Sequence, residues 1–538
     1  MKTILRSSAG VLWACFLGFT CTGSLAYAAS CVVAPTTPPP PLDPATKRTV
    51  VINDAALLNN PNPALGFSLG RTLGNIVRTT PGMVDSPAER VALLTSLVRS
   101  FRAISHVNSD SQVTFPVSVR AAEAALDPIA LLDPANPNGM KPVGLFNRYD
   151  LAPADFKTCG EHRIVYAKNT SGPLDRFFLI FEAALDNPRP DLGAEGCRPI
   201  AEFWESLKGK TGNDLTTALS KFYYDGLAPG IEPVVHFTNY GLPFGQVRGN
   251  LFKQQPWQLR EWRISLAADG APVFTPVTVK TNPFPPLYGG PVSGENSGIA
   301  ALRPAFQTEF VSTRVPELVS VDQGGIVNPE SAGDLFFQLG AAFPNKYNGF
   351  ESQSQPPPPG SNDNPQLLAT ALKARITQRL NQIGIGSACQ LTSEHILNRA
   401  GALSCGGCHQ FSVGKPVAPG VNWPAVALQG FVHIKEDGTL SAALEQFFLP
   451  ARQQNLARHL QAAPAAPAPA QPSAAATPAD SGMQTAVQTL RLNATTLSNA
   501  ESRLSAINSL TELEKQVQSA RATEQATPGA FVTFRRPH

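Results

Sequence analysis

The chain has 538 residues, 43% of them hydrophobic, with 43 lysines and arginines against 40 acidic residues and a net charge of +3. That length supports two or three domains with their own cores. The near-neutral balance excludes both the basic field that a nucleic-acid partner requires and a long acidic tail.

The first thirty residues, MKTILRSSAGVLWACFLGFTCTGSLAYAAS, carry Lys2 and Arg6, an apolar run from Val11 to Phe19 and the small-residue pattern Ala26-Tyr27-Ala28. They predict a secretory signal cleaved after Ala28, because the run falls short of the roughly 20 apolar residues that span a bilayer. A Pro-rich tether follows over 29–48. Within it Cys31, preceded by Ala-Ala-Ser, resembles a bacterial lipoprotein site, although Ala28 stands where leucine is usual. The expected location is periplasmic or secreted, with membrane attachment only if Cys31 is lipidated. Export places the six remaining cysteines in an oxidising compartment. Cys159 and Cys197, on loops flanking a strand pair, are the expected disulfide. Cys31 and Cys389 either form a second bridge or, with Cys31 lipidated, leave an odd thiol at Cys389.

Residues 49–354 read as an α+β body. Asn62-Pro63 opens a segment in which Leu65, Leu69, Leu73 and Ile76 recur at helical spacing, with Gly66, Gly70 and Gly74 on another face where a neighbour can approach closely. Ser86-Pro87-Ala88-Glu89 supplies an N-cap, a first-turn proline and a capping-box glutamate ahead of Val91, Leu94, Val98 and Phe101. From about 160 the pattern becomes strand-like. HRIVYAK and RFFLIFEAAL flank a hairpin turn, Ile200 to Tyr224 is helical, and EPVVHFTNY, GQVRGNLFK, WQLREWRISL and PVTVK follow, the last two joined by Asp269-Gly270. Strands that run together rather than alternating with helices predict a mostly antiparallel sheet. Charged and polar residues on these strands, Glu161, His162, Arg163, Glu182, Arg248 and Asn250, line a pocket, face solvent or pair with one another. Trp257 and Trp262, beside Arg260 and Glu261, read as core.

Residues 355–365 form a Pro-rich linker, and 463–482 an Ala/Pro linker to a helical-hairpin tail at 483–538. Between the linkers, 366–462 carries LSCGGCHQ, with Cys405, Cys408 and His409 in the CxxCH spacing. Covalent attachment of haem c needs two thiols at the separation of the porphyrin vinyl groups and a histidine directly after the second, to ligate the iron. A helix capped at Thr392 or Ser393 leads into the motif. Loops, an Asp437-Gly438 turn and closing helical stretches interrupted by Pro450 follow it. This order resembles the small all-α fold of c-type cytochromes, and body segments such as FNRYDLAPAD resemble those of exported bacterial proteins of no assigned activity.

The cytochrome resemblance implies a mono-haem module with Cys405 and Cys408 as thioether anchors and His409 as proximal iron ligand. The methionines, at 1, 83, 140 and 483, all lie outside the segment after the motif, so the candidate distal ligand there is His433, with His459 and His395 behind it. The expected role is electron transfer or haem-based redox chemistry, with a redox protein or small molecule as partner. A cell-envelope binding protein with a CGGC disulfide and a peroxidase-like haem oxidoreductase are the alternatives. For the motif itself, a thioredoxin-like dithiol or a metal site using Cys389 also stands open.

Overall fold

The structure is a computed structural model that describes residues 40–461, apart from 154, 171, 173, 242–243, 292–294, 320–342, 355–362 and 424–430. The expected signal segment, Cys31, the Ala/Pro-rich stretch 463–482 and the expected helical tail lie outside the described residues.

The fold is α+β around one antiparallel sheet. In chain order the strands are β1 (Val51–Ile52), the small hairpin β2 (Ser105–Val107) and β3 (Thr114–Pro116), then β4 (Met140–Arg148), β5 (Thr158–Lys168), β6 (Phe177–Asp186), β7 (Gln246–Leu251), β8 (Gln258–Leu266) and β9 (Pro272–Val277). β10 (Ser352–Gln353) completes the sheet, and β11 (Pro416–Ala418) with β12 (Val421–Asn422) form a second small hairpin. The main sheet runs β1-β4-β5-β6-β7-β8-β10, with β9 also paired to β8. Short connections join β4, β5 and β6, and again β7, β8 and β9, as antiparallel neighbours, while the helices Arg198–Ser206 and Gly212–Tyr224 lie between β6 and β7. Gly160 marks a bulge in β5, where the register slips between Thr158 and Glu161. Its φ of 81° suits glycine, and a Cβ there would lie 2.3 Å from the Arg148 carbonyl oxygen.

Both sheet faces are covered, which is why β5 is buried at every position. One face packs Ile164, Tyr166, Leu179, Phe181 and Trp262 against the helices Leu69–Thr79, Pro87–Ser100, Arg198–Ser206 and Gly212–Tyr224. The opposite face packs Phe146, Val165 and Phe178 in one cluster with Phe306 and Phe310, and with Leu372, Ile396, Leu397 and Phe447 of the segment that carries the CxxCH motif. The helix Leu449–Gln461 bridges the two layers, Leu449 entering one core and Leu456 the other. Among the described residues no helix is long and apolar enough to cross a membrane.

Several local expectations are corrected. The first long helix starts at Leu69, where Ser68 accepts from the Arg71 amide, and not at Asn62-Pro63. EPVVHFTNY is not a strand. The Val234 and Val235 amides donate to the Phe222 and Tyr223 carbonyls, and Asn75 and Asn239 side chains cap carbonyls in the same segment, so no neighbouring strand is needed. The strand read as PVTVK is shifted to Pro272–Val277. Pro450 does not interrupt the last helix, because a widened turn at Leu444–Phe448 runs directly into Leu449–Gln461 and places the proline where its missing N–H is harmless.

Candidate haem site

The helix Ser393–Leu403 delivers the motif. Thr392 caps it, its hydroxyl accepting from the His395 amide while His395 Nδ1 accepts from the Thr392 amide. After Ser404 the chain re-enters a helical turn, widened at Gly407–Phe411. The two residues between the cysteines are glycines for a packing reason: a Cβ on Gly406 would stand 2.5 Å from the Gln353 carbonyl oxygen, and one on Gly407 2.0 Å from that of Gly401. Ser352 Oγ of β10 accepts from the Gly406 amide at 2.9 Å, and Ser404 Oγ from the Gly407 amide at 3.1 Å. The turn is thereby fastened to the sheet edge and held open for the thiols.

Neither Cys405 nor Cys408 is in a disulfide, and each is 5% exposed. Both line a cleft of about 150 Å³, open in part to solvent, between the charged face of the sheet and the C-terminal segment. Phe146, Val165, Phe178 and Ile180 form the sheet wall, and Phe431, Ile434 and Leu444 face them. Trp257 and Phe252 close one end, with the His409 imidazole stacked on the Trp257 indole at 4.0 Å between centroids. Burial holds the Cys405 thiol up at about 12 and His409 down at about 3, His433 and Arg176 adding to the depression of His409. The thiol is therefore protonated and the imidazole neutral, a ring nitrogen being available as a ligand.

The structure brings His433 into this cleft with His409, and Phe431 packs against both rings, at 4.6 and 4.2 Å between centroids. His395 is used in the helix cap, and His459 packs on Tyr149 and Phe156; neither lines the cleft. Cys159 and Cys197 are disulfide-bonded, with Cα atoms 5.3 Å apart. Cys389 is also in a disulfide, so it does not join Cys405 and Cys408, and no group of three His, Cys, Asp or Glu among the described residues is placed to hold a metal ion. The helix-start sequence GFSLG at 66–70 has the GxSxG spacing of a serine-hydrolase nucleophile. Ser68 there has φ −60° and uses its oxygen as a helix cap, so it is not an exposed nucleophile.

The strand charges resolve into a ladder whose Arg163, Glu182 and Arg248 also floor the cleft. Glu161–Arg163 (2.6 Å), Arg163–Glu182 (3.0 Å), Glu182–Arg248 (3.3 Å) and Arg248–Glu261 (2.7 Å) run across four strands; the register sets Arg163 opposite Glu182 and Arg248 opposite Glu261, while Glu182 reaches Arg248 diagonally. Burial would raise Glu161, but Arg163, Lys280 and Arg248 together hold it at about 2. Burial pushes Glu182 up despite its two arginines, because Glu161 and Glu261 flank it. Arg148, Arg176 and Arg452 also line the cleft. Sequence reasoning missed these three, and missed Trp257 as a cleft residue; only the adjacency of β-strand charges pointed to the floor.

These residues fit a haem: two reduced, adjacent thiols, a neutral imidazole, apolar walls for a porphyrin and guanidinium groups for its carboxylates. No family model, curated protein or solved structure matches this chain.

Proposed function

We propose that this protein is an exported mono-haem c-type protein, with haem held by Cys405 and Cys408 and its iron by His409, acting in electron transfer or haem-based redox chemistry. The convergence of both thiols, His409 and His433 on one cleft carries the reading. When bound, the haem would supply a one-electron iron couple. The chain's own residues do the rest: Phe146, Val165, Phe178 and Leu444 exclude water, and the salt-bridge ladder beneath them fixes a charged floor. Burial keeps His409 unprotonated. The raised Cys405 thiol disfavours the dithiol alternative, since an exchanging cysteine needs a stabilised thiolate. The Cys159–Cys197 disulfide supports export.

Protein made in a host with periplasmic haem-ligation machinery is expected to be red and to retain its haem through acid-acetone extraction, whereas Cys405→Ala with Cys408→Ala releases it. A colourless wild type with both thiols alkylatable would overturn the proposal in favour of a binding protein. Phe431, between the two imidazoles, favours a second reading in which His433 leaves the iron open to small ligands. A ferric spectrum that is high-spin and unchanged by His433→Ala supports the open site. Conversion from low- to high-spin by that substitution makes His433 the distal ligand and favours electron transfer.

A further inference from the structure

The cleft contains more positive charge than its own carboxylates neutralise. Arg163 and Arg248 pair within the ladder, Arg176 pairs with Glu436, and Arg148 makes a forked contact to Asp150 at 3.0 and 2.8 Å. Arg452 has no acidic partner among the described residues, although it is only 6% exposed. Its Nε and the Nη1 of Arg148 are both buried without a hydrogen-bond partner. Both side chains line the same cleft, Arg148 from the end of β4 and Arg452 from the first turns of the helix Leu449–Gln461. Burial lowers the affinity of Arg452 for its proton, and Arg148 lowers it further. A buried, unpaired cation is destabilising, and two guanidinium groups with idle donors offer a planar fork of the shape that carboxylates match.

We propose that Arg452 and Arg148 form a binding site for one carboxylate in the cleft beside Cys408. The carboxylate comes either from a haem propionate or from a free organic acid that enters as substrate or effector. The first source rests on the haem proposal above; the site itself does not.

Full-length protein carrying Cys405→Ser and Cys408→Ser, which attaches no haem, is titrated with sodium acetate and, at matched ionic strength, with sodium chloride. Acetate is expected to raise the thermal midpoint with the logarithm of its concentration above Kd, by about 2 °C at ten times its Kd, and chloride to leave it unchanged. Arg452→Met on that background should abolish the acetate response while raising the midpoint in chloride, since it removes an unpaired buried charge. Arg452→Lys, which keeps the charge and loses the fork, should weaken acetate binding about tenfold. Equal responses to acetate and chloride, or an acetate response that survives both Arg452 substitutions, would overturn the site. In the haem-carrying wild type, a retained acetate shift assigns a free acid. A lost shift, with a propionate vibrational band moved by Arg452→Met, assigns the cofactor. A colourless wild type would defeat the haem proposal and leave the acetate result standing.

Discussion

His162 and Arg163 are neighbours on β5 and point to opposite faces of the sheet, one into an apolar core and the other into the charged cleft floor. His162 is fully buried, its Nδ1 accepting from the Trp204 indole N–H at 3.1 Å, and burial holds it at about 3 against the weaker pull of Glu161. It is neutral in the folded protein, while the unfolded chain takes up a proton below about pH 6.5. The stability that this neutral histidine contributes is complete above pH 6.5 and is lost progressively as the pH falls towards 3. At pH 5 the loss is about 2 kcal/mol. His162→Phe should cost about 1 kcal/mol at pH 7 by leaving the indole N–H unpaired, yet lose about 2 kcal/mol less than wild type between pH 7 and pH 5. Denaturant unfolding at the two pH values checks this, and parallel losses in both proteins would refute it. At this scale CGGCH was legible because its five residues are contiguous. Arg452, Arg148 and Trp257 were not, since each gains its meaning from contacts made across more than a hundred residues of chain.

Two capped helix starts were legible in the sequence, although the first long helix was not. Ser86 accepts from the Glu89 amide and Thr392 from that of His395, as side-chain oxygens three residues ahead of an orphan N–H do. Because the Thr392 helix runs into Cys405, its cap bears on the site as well as on stability. Thr392→Ala is expected to destabilise the protein by about 1 kcal/mol and Thr392→Ser by much less, read as midpoint shifts in thermal unfolding. Equal stabilities of wild type and Thr392→Ala would show that the cap carries no load. Strands were less secure. EPVVHFTNY has the composition of a strand, but hydrogen bonding decides, and its donors and acceptors find the end of the preceding helix and two asparagine side chains.

Across the whole molecule, the segment carrying CxxCH shares its hydrophobic cluster with the sheet: Ile396, Leu397 and Phe447 pack in the same core as Val51, Phe146 and Val165. Ordering that segment and ordering the sheet are therefore coupled. Unfolding is expected as a single transition in which far-UV circular dichroism and the fluorescence of the cleft-lining Trp257 change together, and a fragment of 366–461 alone is expected to lack fixed structure. Two separable transitions, or a folded fragment, would contradict this. The sequence by itself determined the CxxCH spacing, the capped helix before it, the antiparallel strand run and the Cys159–Cys197 candidate pair, because each is written in neighbouring residues or in a simple period. Only the tertiary structure decided that His433, rather than His395 or His459, shares the cleft with His409, and that the strand charges make a paired floor beneath the motif. It also decided that Arg452 has no carboxylate partner among the described residues. Whether a charged side chain is solvated, paired or stranded depends on which distant groups the fold brings within a few ångströms of it, and local pattern contains no record of that distance.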